Sequence, residues 1–399
     1  MNKKKTFFGL PSDVRFCTKC VISNQRPNSS IEFKNKNQKK IGIQFDENNV
    51  CSACKYHEIK KNIDWKKRDR MLWTLLSKYR RKNGYDVIVP SSGGKDSGMT
   101  AHILKYKYGM NPLTVTWSPH EFTDIGWKNF NNCIEIGGFD NILFTPNGRL
   151  HRLLTSLSFK NLLHPFQPFI IGQKIIGPLI AAKFNIPLVI YGENPAEDGN
   201  LIEENYDPKM DLDFFSVQNI NQILLGGEPI SKIIKKYKFD LRDFSPYIPP
   251  TVKEIKNKKI KVHYLGYYVK WDPQESFYYA AEHTGFRPNT ERTLGTYSKY
   301  SSIDDKIDDF HWYTTFIKFG IGRATYDAYQ EVRNEKITRE EAVVLVKKYD
   351  GEFPEKYFKD FLNYINISEI EFWKIINRFR SPHLWKKIGK KWSLRAQVK

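Results

Sequence analysis

Residues 85–108 read YDVIVPSSGGKDSGMTAHILKYKY. A short apolar run, Tyr85–Val89, stops at Pro90; a glycine-rich turn follows, and residues 97–108 read as a helix. The alternation continues downstream. Leu113–Trp117 (LTVTW) reads as a strand, a helix follows near 124–136, and 141–144 (NILF) is a third strand. A helix near 171–184 then precedes the strand Leu188–Tyr191 (LVIY). Strands alternating with helices predict an α/β fold, a parallel sheet with helices on both faces. Ligands of such sheets sit at the carboxyl ends of strands. Three of these strands end in polar loops: SSGGKDS, SPHEFTD and GENPAEDG.

The flanking segments divide the chain further. Residues 1–60 read as a zinc-ribbon-like module held by cysteines, because so small a core does not hold itself. Residues 61–84 form a linker in which Met71, Leu72, Leu75, Leu76 and Tyr79 recur at helical spacing. Residues 85–235 hold the strand–helix alternation, and residues 236–399 a C-terminal region that is mostly helical. TREEA at 338–342 suits a helix start, with acidic residues in the first turn. The last 17 residues, with Lys386, Lys387, Lys390, Lys391, Arg395 and Lys399, read as a mobile basic tail.

With 399 residues the chain is long enough for two or three domains. No stretch approaches the roughly 20 apolar residues of a membrane span. The start, MNKKKTFFGL, lacks the apolar segment of a signal peptide, so a cytoplasmic protein is expected. The net charge of +20 fits a polyanionic partner such as a nucleic acid, a nucleotide sugar or phosphates, and equally a solvated lysine-rich surface.

Four of the five cysteines form two CxxC pairs, Cys17/Cys20 and Cys51/Cys54. Two intervening residues let both thiolates of a pair reach one tetrahedral ion, and two pairs complete a closed set. Structural zinc is expected, the wide spacing being absorbed by the loop KNKNQKKIG at 34–42; a redox pair, an iron–sulfur cluster and a disulfide framework are the rivals. His57 is a spare candidate ligand, and Cys133 reads as a buried small hydrophobe.

The glycine turn has the parts of a phosphate site: Gly93 and Gly94 allow close backbone approach, and the helix behind offers free N–H groups and a positive dipole end. Ser92 and Ser97 add hydroxyls and Lys95 a charge. It lacks the GxxxxGK[ST] spacing of the common P-loop, because Asp96 follows Gly94-Lys95. The motif SGGKDS resembles the signature of the PP-loop ATP pyrophosphatases, with their HUP-like sheet. That resemblance implies cleavage of ATP between the α and β phosphates, and contacts to pyrophosphate from Ser91, Ser92, Gly93, Gly94, Lys95, Asp96 and Ser97. It implies adenine held at Thr116 and Trp117, and a second edge of the site at Gly192, Glu193 and Asn194. Magnesium is expected with ATP phosphates, on Asp96 and on Glu193 or Glu197.

The runs YLGYYVKWDPQE and ERTLGTYSKYSSIDDKIDDFHWYTTFIKFGIGRATYD, with the CxxC pairs and YGENPAEDG, are similar to the N-acetyl-sugar amidotransferases of surface-glycan pathways. Members serve lipopolysaccharide O-antigen synthesis and the derivatisation of pseudaminic and legionaminic acids on flagella. The resemblance implies conversion of an acetamido into an acetamidino group through an adenylated imidate, with release of AMP and pyrophosphate. The substrate implied is an N-acetyl sugar or nucleotide sugar. Candidates for the chemistry are Lys95, Asp96, Lys270 and Asp272; for the sugar and its anionic groups, Trp271, Arg287, Arg292, Tyr297, Lys299, Asp304, Asp305 and Arg323. His311, in the aromatic run, reads as packed or catalytic. No glutaminase is visible, so ammonia is expected from separate glutaminase and channel subunits resembling the halves of imidazole glycerol phosphate synthase. The rival readings are a tRNA-modifying PP-loop enzyme, thiolating or lysidine-forming, and a non-catalytic zinc scaffold.

Overall fold

A computed structural model describes residues 5–35, 39–200 and 207–399. The first four residues of the N-terminal stretch and the middle of the 34–42 loop lie outside these ranges. Strands β1 (Val87–Pro90), β2 (Pro112–Trp117), β3 (Asp140–Phe144) and β4 (Leu188–Tyr191) pair in parallel, in the order β3-β2-β1-β4. The fifth strand, Lys261–Tyr264, pairs parallel to β4 at the far edge. It comes from beyond residue 235, where the sequence rhythm is interrupted. Between β4 and that strand lie a two-residue hairpin, β5 (Leu224–Leu225) with β6 (Glu228–Pro229), and the helices Ile230–Tyr237 and Val252–Asn257. The fifth sheet strand is therefore β7.

Alternation along the strands explains why both faces are covered. Ile88, Val189 and Val262 point into the core shared with helices α5 (Gly148–Leu162) and α6 (Gln167–Phe184). Val87, Val89, Leu188 and Ile190 point the other way, into a core with α2 (Trp65–Ser77) and α3 (Lys95–His102). α3 runs on as a wider turn, Ile103–Lys107. The remaining helix on this side of the chain, α4 (Asp124–Glu135), is capped by Thr123, whose hydroxyl accepts from Gly126 N.

α6 is apolar on nearly every side, as a helix packed all round must be. Gly172 and Gly177 let it lie close: a β-carbon at Gly172 would meet the Trp117 ring, and one at Gly177 would come within 2.9 Å of Pro90. Pro178 inside the helix cannot donate to the Lys174 carbonyl. The Tyr191 hydroxyl, at the end of β4, donates to that carbonyl instead at 2.9 Å.

The C-terminal region is helical as expected: Pro273–His283, Asp308–Phe319, Arg323–Arg333, Arg339–Tyr349, Phe358–Ile365 and Glu369–Arg378. Thr338 and Glu341 form a reciprocal capping box at the predicted helix start. The last 17 residues depart from the expectation of a mobile tail. They fold as a hairpin, β8 (Trp385–Ile388) with β9 (Lys391–Leu394). Apolar residues between the lysines anchor it: Trp385 is buried and its Nε1 donates to Ile317 O at 2.8 Å, Val398 is buried, and Arg339 holds the Lys399 carbonyl. Among the described residues no helix is long and apolar enough to cross a membrane.

Candidate functional site

The loop Ser91–Ser97 sits at the carboxyl end of β1, with β2 on one side and β4 on the other. Strand order reverses here, the place where open α/β sheets leave a crevice. Gly93 has φ of +81°, and a β-carbon there would lie 2.5 Å from the Phe130 Cα of α4. This glycine is demanded by backbone conformation and by the helix behind the loop. Gly94 is the N-cap of α3, with only Ser92 Oγ near its missing β-carbon. Two hydroxyls shape the turn from within: Ser91 Oγ accepts from Gly93 N at 3.2 Å and lies 3.0 Å from Ser97 Oγ.

The pocket over this loop is lined by Ser91, Ser92, Gly94, Lys95, Asp96, Ser97, Trp117, Gly192 and Glu193. It also takes Phe169, Gln173 and Ile176 from α6, which the sequence reading missed. The available signal was Gln173-Lys174, a polar pair inside an otherwise apolar helix. Thr116 turns its hydroxyl to the Ser91 carbonyl and is outside the lining. Asn194 is buried beneath it, donating to Tyr56 Oη and capping the next turn through Ala196 N.

Asp96 is held from two sides: Lys95 Nζ lies 2.5 Å from Oδ2, and Trp271 Nε1 donates to Oδ1 at 2.9 Å. The expected sugar residue Trp271 is thus joined to the loop. Its own carbonyl accepts from Lys60 Nζ, which also pairs with Glu197 at 2.6 Å. Both charged groups are almost wholly buried, and burial raises the Glu197 carboxyl above its usual range. Glu193 differs from it, being exposed at the pocket mouth.

The other named residues fall in two groups. Asp304 is close to the loop: Gly126 of α4 packs on its backbone, and the nearby Ser92 side chain offsets part of the rise in its carboxyl. Burial and the neighbouring Asp305 push Asp304 up to about 6. Asp308 nearby, missed from sequence, is raised to about 7 by burial. Asp305 is fully engaged, accepting from His120 N and Ile307 N while facing His120 Nδ1. That cluster zips the SPHEFTD loop to residues 303–306, with Thr123 N donating to Asp304 O and Lys306 N to Glu121 O.

The second group stands outside the loop pocket. Arg292 is paired with Glu352 through two bonds of 2.6 and 2.7 Å, Arg323 with Asp327 at 3.0 Å, and Tyr297 with Glu331. Arg287 bonds the Ala281 carbonyl and Lys299 the Thr290 carbonyl. Asp272 caps the helix Pro273–His283, and Lys270 is exposed. His311 is taken up below.

Cys17, Cys20, Cys51 and Cys54 are buried, with their sulfurs all within 4.8 Å of one another. The Cys17–Cys54 and Cys20–Cys51 separations are 3.8 Å. A disulfide needs about 2 Å. A tetrahedron with metal–sulfur bonds of about 2.3 Å has edges of about 3.8 Å, so the set suits a closed structural zinc site. His57 stands outside this set, and Cys133 is buried behind the loop, its thiol pushed up to about 11 by burial. Helix α1 (Ser52–Lys61) starts at this cluster and carries Lys60 in its last turn. Ser52 also bonds the Gly199 carbonyl, so one short helix ties the cysteines to the loop after β4.

The comparisons with known proteins bear on the C-terminal region. Residues 294–399 match the family of the LPS biosynthesis protein WbpG-like, C-terminal domain. No curated protein matches the chain. The WbpG-like region contains Asp304, Asp305 and Asp308, and Asp304 packs on Gly126 of α4, the helix whose Phe130 backs Gly93 of the loop.

Proposed function

We propose that the chain is an ATP-dependent, AMP-forming enzyme that converts an acetamido group of a sugar or nucleotide sugar into an acetamidino group. The observation that carries this reading is the packing of Asp304, in the WbpG-like region, on α4, the helix whose Phe130 backs Gly93 of the nucleotide-type loop. The loop suits ATP, and the region packed beside it resembles a domain named for lipopolysaccharide synthesis.

The amide oxygen attacks the α-phosphorus and pyrophosphate leaves, giving an O-adenylated imidate. Ammonia adds to the imidate carbon, a proton is lost, and AMP departs with the former amide oxygen. The free N–H groups at the start of α3 and Lys95 stabilise the charge gathering on pyrophosphate. Asp304, with its carboxyl near 6, is suited to take the proton from the incoming nitrogen. Asp96 and the exposed Glu193 are carboxylates of the lining that would hold magnesium, which would offset the negative charge of the ATP phosphates. The four cysteines would hold zinc as a structural ion. Ammonia comes from separate glutaminase and channel subunits.

The test is mass spectrometry of N-acetyl sugars and nucleotide sugars incubated with the protein, ATP and ammonium. Product formation lowers the substrate mass by about one unit, as oxygen is replaced by NH, with AMP formed alongside. ADP in place of AMP, or equal turnover with glutamine alone, refutes the scheme or its ammonia source respectively. A tRNA-modifying reading is favoured by one observation, the exposed lysines of the β8–β9 hairpin within a chain of charge +20. Tight binding of bulk tRNA that falls steeply with salt would support it instead.

A further inference from the structure

A second cavity, of about 210 Å³, lies between residues 26–30 and the helix Asp308–Phe319, away from the glycine loop. Its charged lining is unbalanced. Arg26, Lys40 and Lys318 face it, and the acid in the described lining, Glu32, is already engaged by His164 at 3.3 Å and Asn35 at 3.0 Å. Arg26 is 4% exposed, and its Nε and Nη1 have no hydrogen-bond partner among the described residues. Lys318 is 8% exposed and its ammonium donates to the Leu162 carbonyl at 2.9 Å. His311 Nδ1 is likewise buried without a partner. Unpaired buried donors each cost about 1–3 kcal/mol, more when charged, so a fold that keeps several around one cavity leaves room for an acceptor.

The cavity also has an address. A larger cleft, of about 590 Å³, shares Glu193 with the loop pocket and shares Ser29, Ser30, Glu32 and Ile170 with the basic cavity. The three spaces run in sequence along α6, from the glycine loop to Arg26. We propose that the basic cavity is an anion subsite that grips the oxyanion of the substrate, the phosphates of a nucleotide sugar or the carboxylate of a sugar acid, while the sugar ring lies in the larger cleft. This rests on the sugar-amidation reading above. It moves recognition of the substrate's charge away from Arg287, Arg292 and Arg323, which have partners already, to Arg26, whose Nε and Nη1 have none among the described residues, with Lys318 and Lys40 beside it.

The test is calorimetric titration of the full chain with inorganic pyrophosphate. Two equivalents are expected, one displaced by saturating α,β-methylene-ATP and one not. Lys318→Met, close in shape to lysine, weakens the nucleotide-resistant equivalent by at least about tenfold, and Arg26→Gln acts on the same equivalent. A single equivalent in the wild-type chain, fully displaced by the nucleotide, overturns the proposal; so does an unchanged resistant equivalent in a folded Lys318→Met protein. Should the resistant equivalent alone appear and respond to Lys318→Met, the subsite stands and the nucleotide reading of the loop falls. Displacement of the resistant equivalent by UDP assigns it to phosphates, and displacement by N-acetylneuraminic acid to a carboxylate. Displacement by neither overturns the substrate role.

Discussion

Replacing Lys60 by methionine removes one partner of a pair that has almost no access to water. The Lys60 and Glu197 side chains are 2% and 4% exposed, and their charged atoms are 2.6 Å apart. At an effective dielectric of about 20 that separation is worth about 6 kcal/mol of attraction, which desolvation of the two ions largely offsets. The intact pair therefore contributes little net stability, but the broken pair leaves a buried carboxylate without its partner. The expected loss for Lys60→Met is about 3–5 kcal/mol near neutral pH, including the Trp271 carbonyl left without its donor. The sign with pH follows from Glu197, whose folded carboxyl already titrates above the usual range because it is buried. Without Lys60 it binds a proton in the folded state that the unfolded chain has lost. The stability of the variant is thus greatest below the unfolded carboxylate pKa and falls as pH rises through the folded value. Denaturant unfolding at pH 5 and pH 8 should show the larger deficit at pH 8. The double variant Lys60→Met/Glu197→Gln should recover much of the loss. A single variant within about 0.5 kcal/mol of wild type, or strictly additive single and double losses, would refute the assignment of a coupled buried pair.

Other consequences can be checked the same way. Gly93→Ala places a β-carbon 2.5 Å from the Phe130 Cα at a φ of +81°, so it should cost on the order of 2 kcal/mol or more in unfolding experiments and abolish nucleotide binding. Asp304→Asn should lower kcat by about 10²–10⁴-fold with the KM for ATP little changed, and should remove a rise in wild-type kcat with pH through about 6. Wild-type activity with no such rise would remove Asp304 as the base. Stripping metal from the four cysteines, or Cys51→Ser, should lower thermal stability and weaken ATP binding together, because α1 links the cluster to Lys60; metal content by atomic absorption and nucleotide titration report the two effects.

The fold was legible where its signals are local. β1, its glycine turn and α3 carry their punctuation within two dozen residues, and the four cysteines declare themselves by spacing alone. β7 was not legible: its four residues are separated from β4 by an irregular segment, and only pairing with β4 makes them part of the sheet. The basic tail was misread because its paired lysines, Lys386 with Lys387 and Lys390 with Lys391, flank a tight turn at Gly389 that sets Trp385 opposite Leu394. The buried cations were hardest to see. Lysine and arginine are so rarely buried that nothing in the sequence separates Lys60, Arg26 and Lys318 from the other basic residues. Candidates were therefore sought among the arginines of the aromatic run. One of those carried a warning in plain view, since Arg323 and Asp327 stand four apart on a helix, the spacing at which side chains pair.

The zinc-type module acquires its meaning from the same buried lysine. A cysteine cluster remote from a sheet can be a separate appendage, held by its ion and free to turn. Here α1 leaves the cluster at Cys51 and, nine residues later, places Lys60 between Glu197 of the post-β4 loop and the Trp271 carbonyl, while Trp271 Nε1 holds Asp96. The links at Lys60 join buried groups, the last reaches the half-buried Asp96, and a buried ionic contact broken at one end is costly. Order in the cysteine cluster is therefore transmitted to the carboxylate of the glycine loop through two side chains, Lys60 and Trp271. The N-terminal module thereby braces the pocket over the glycine loop, and loss of a metal bound by its cysteines should be felt first at Asp96.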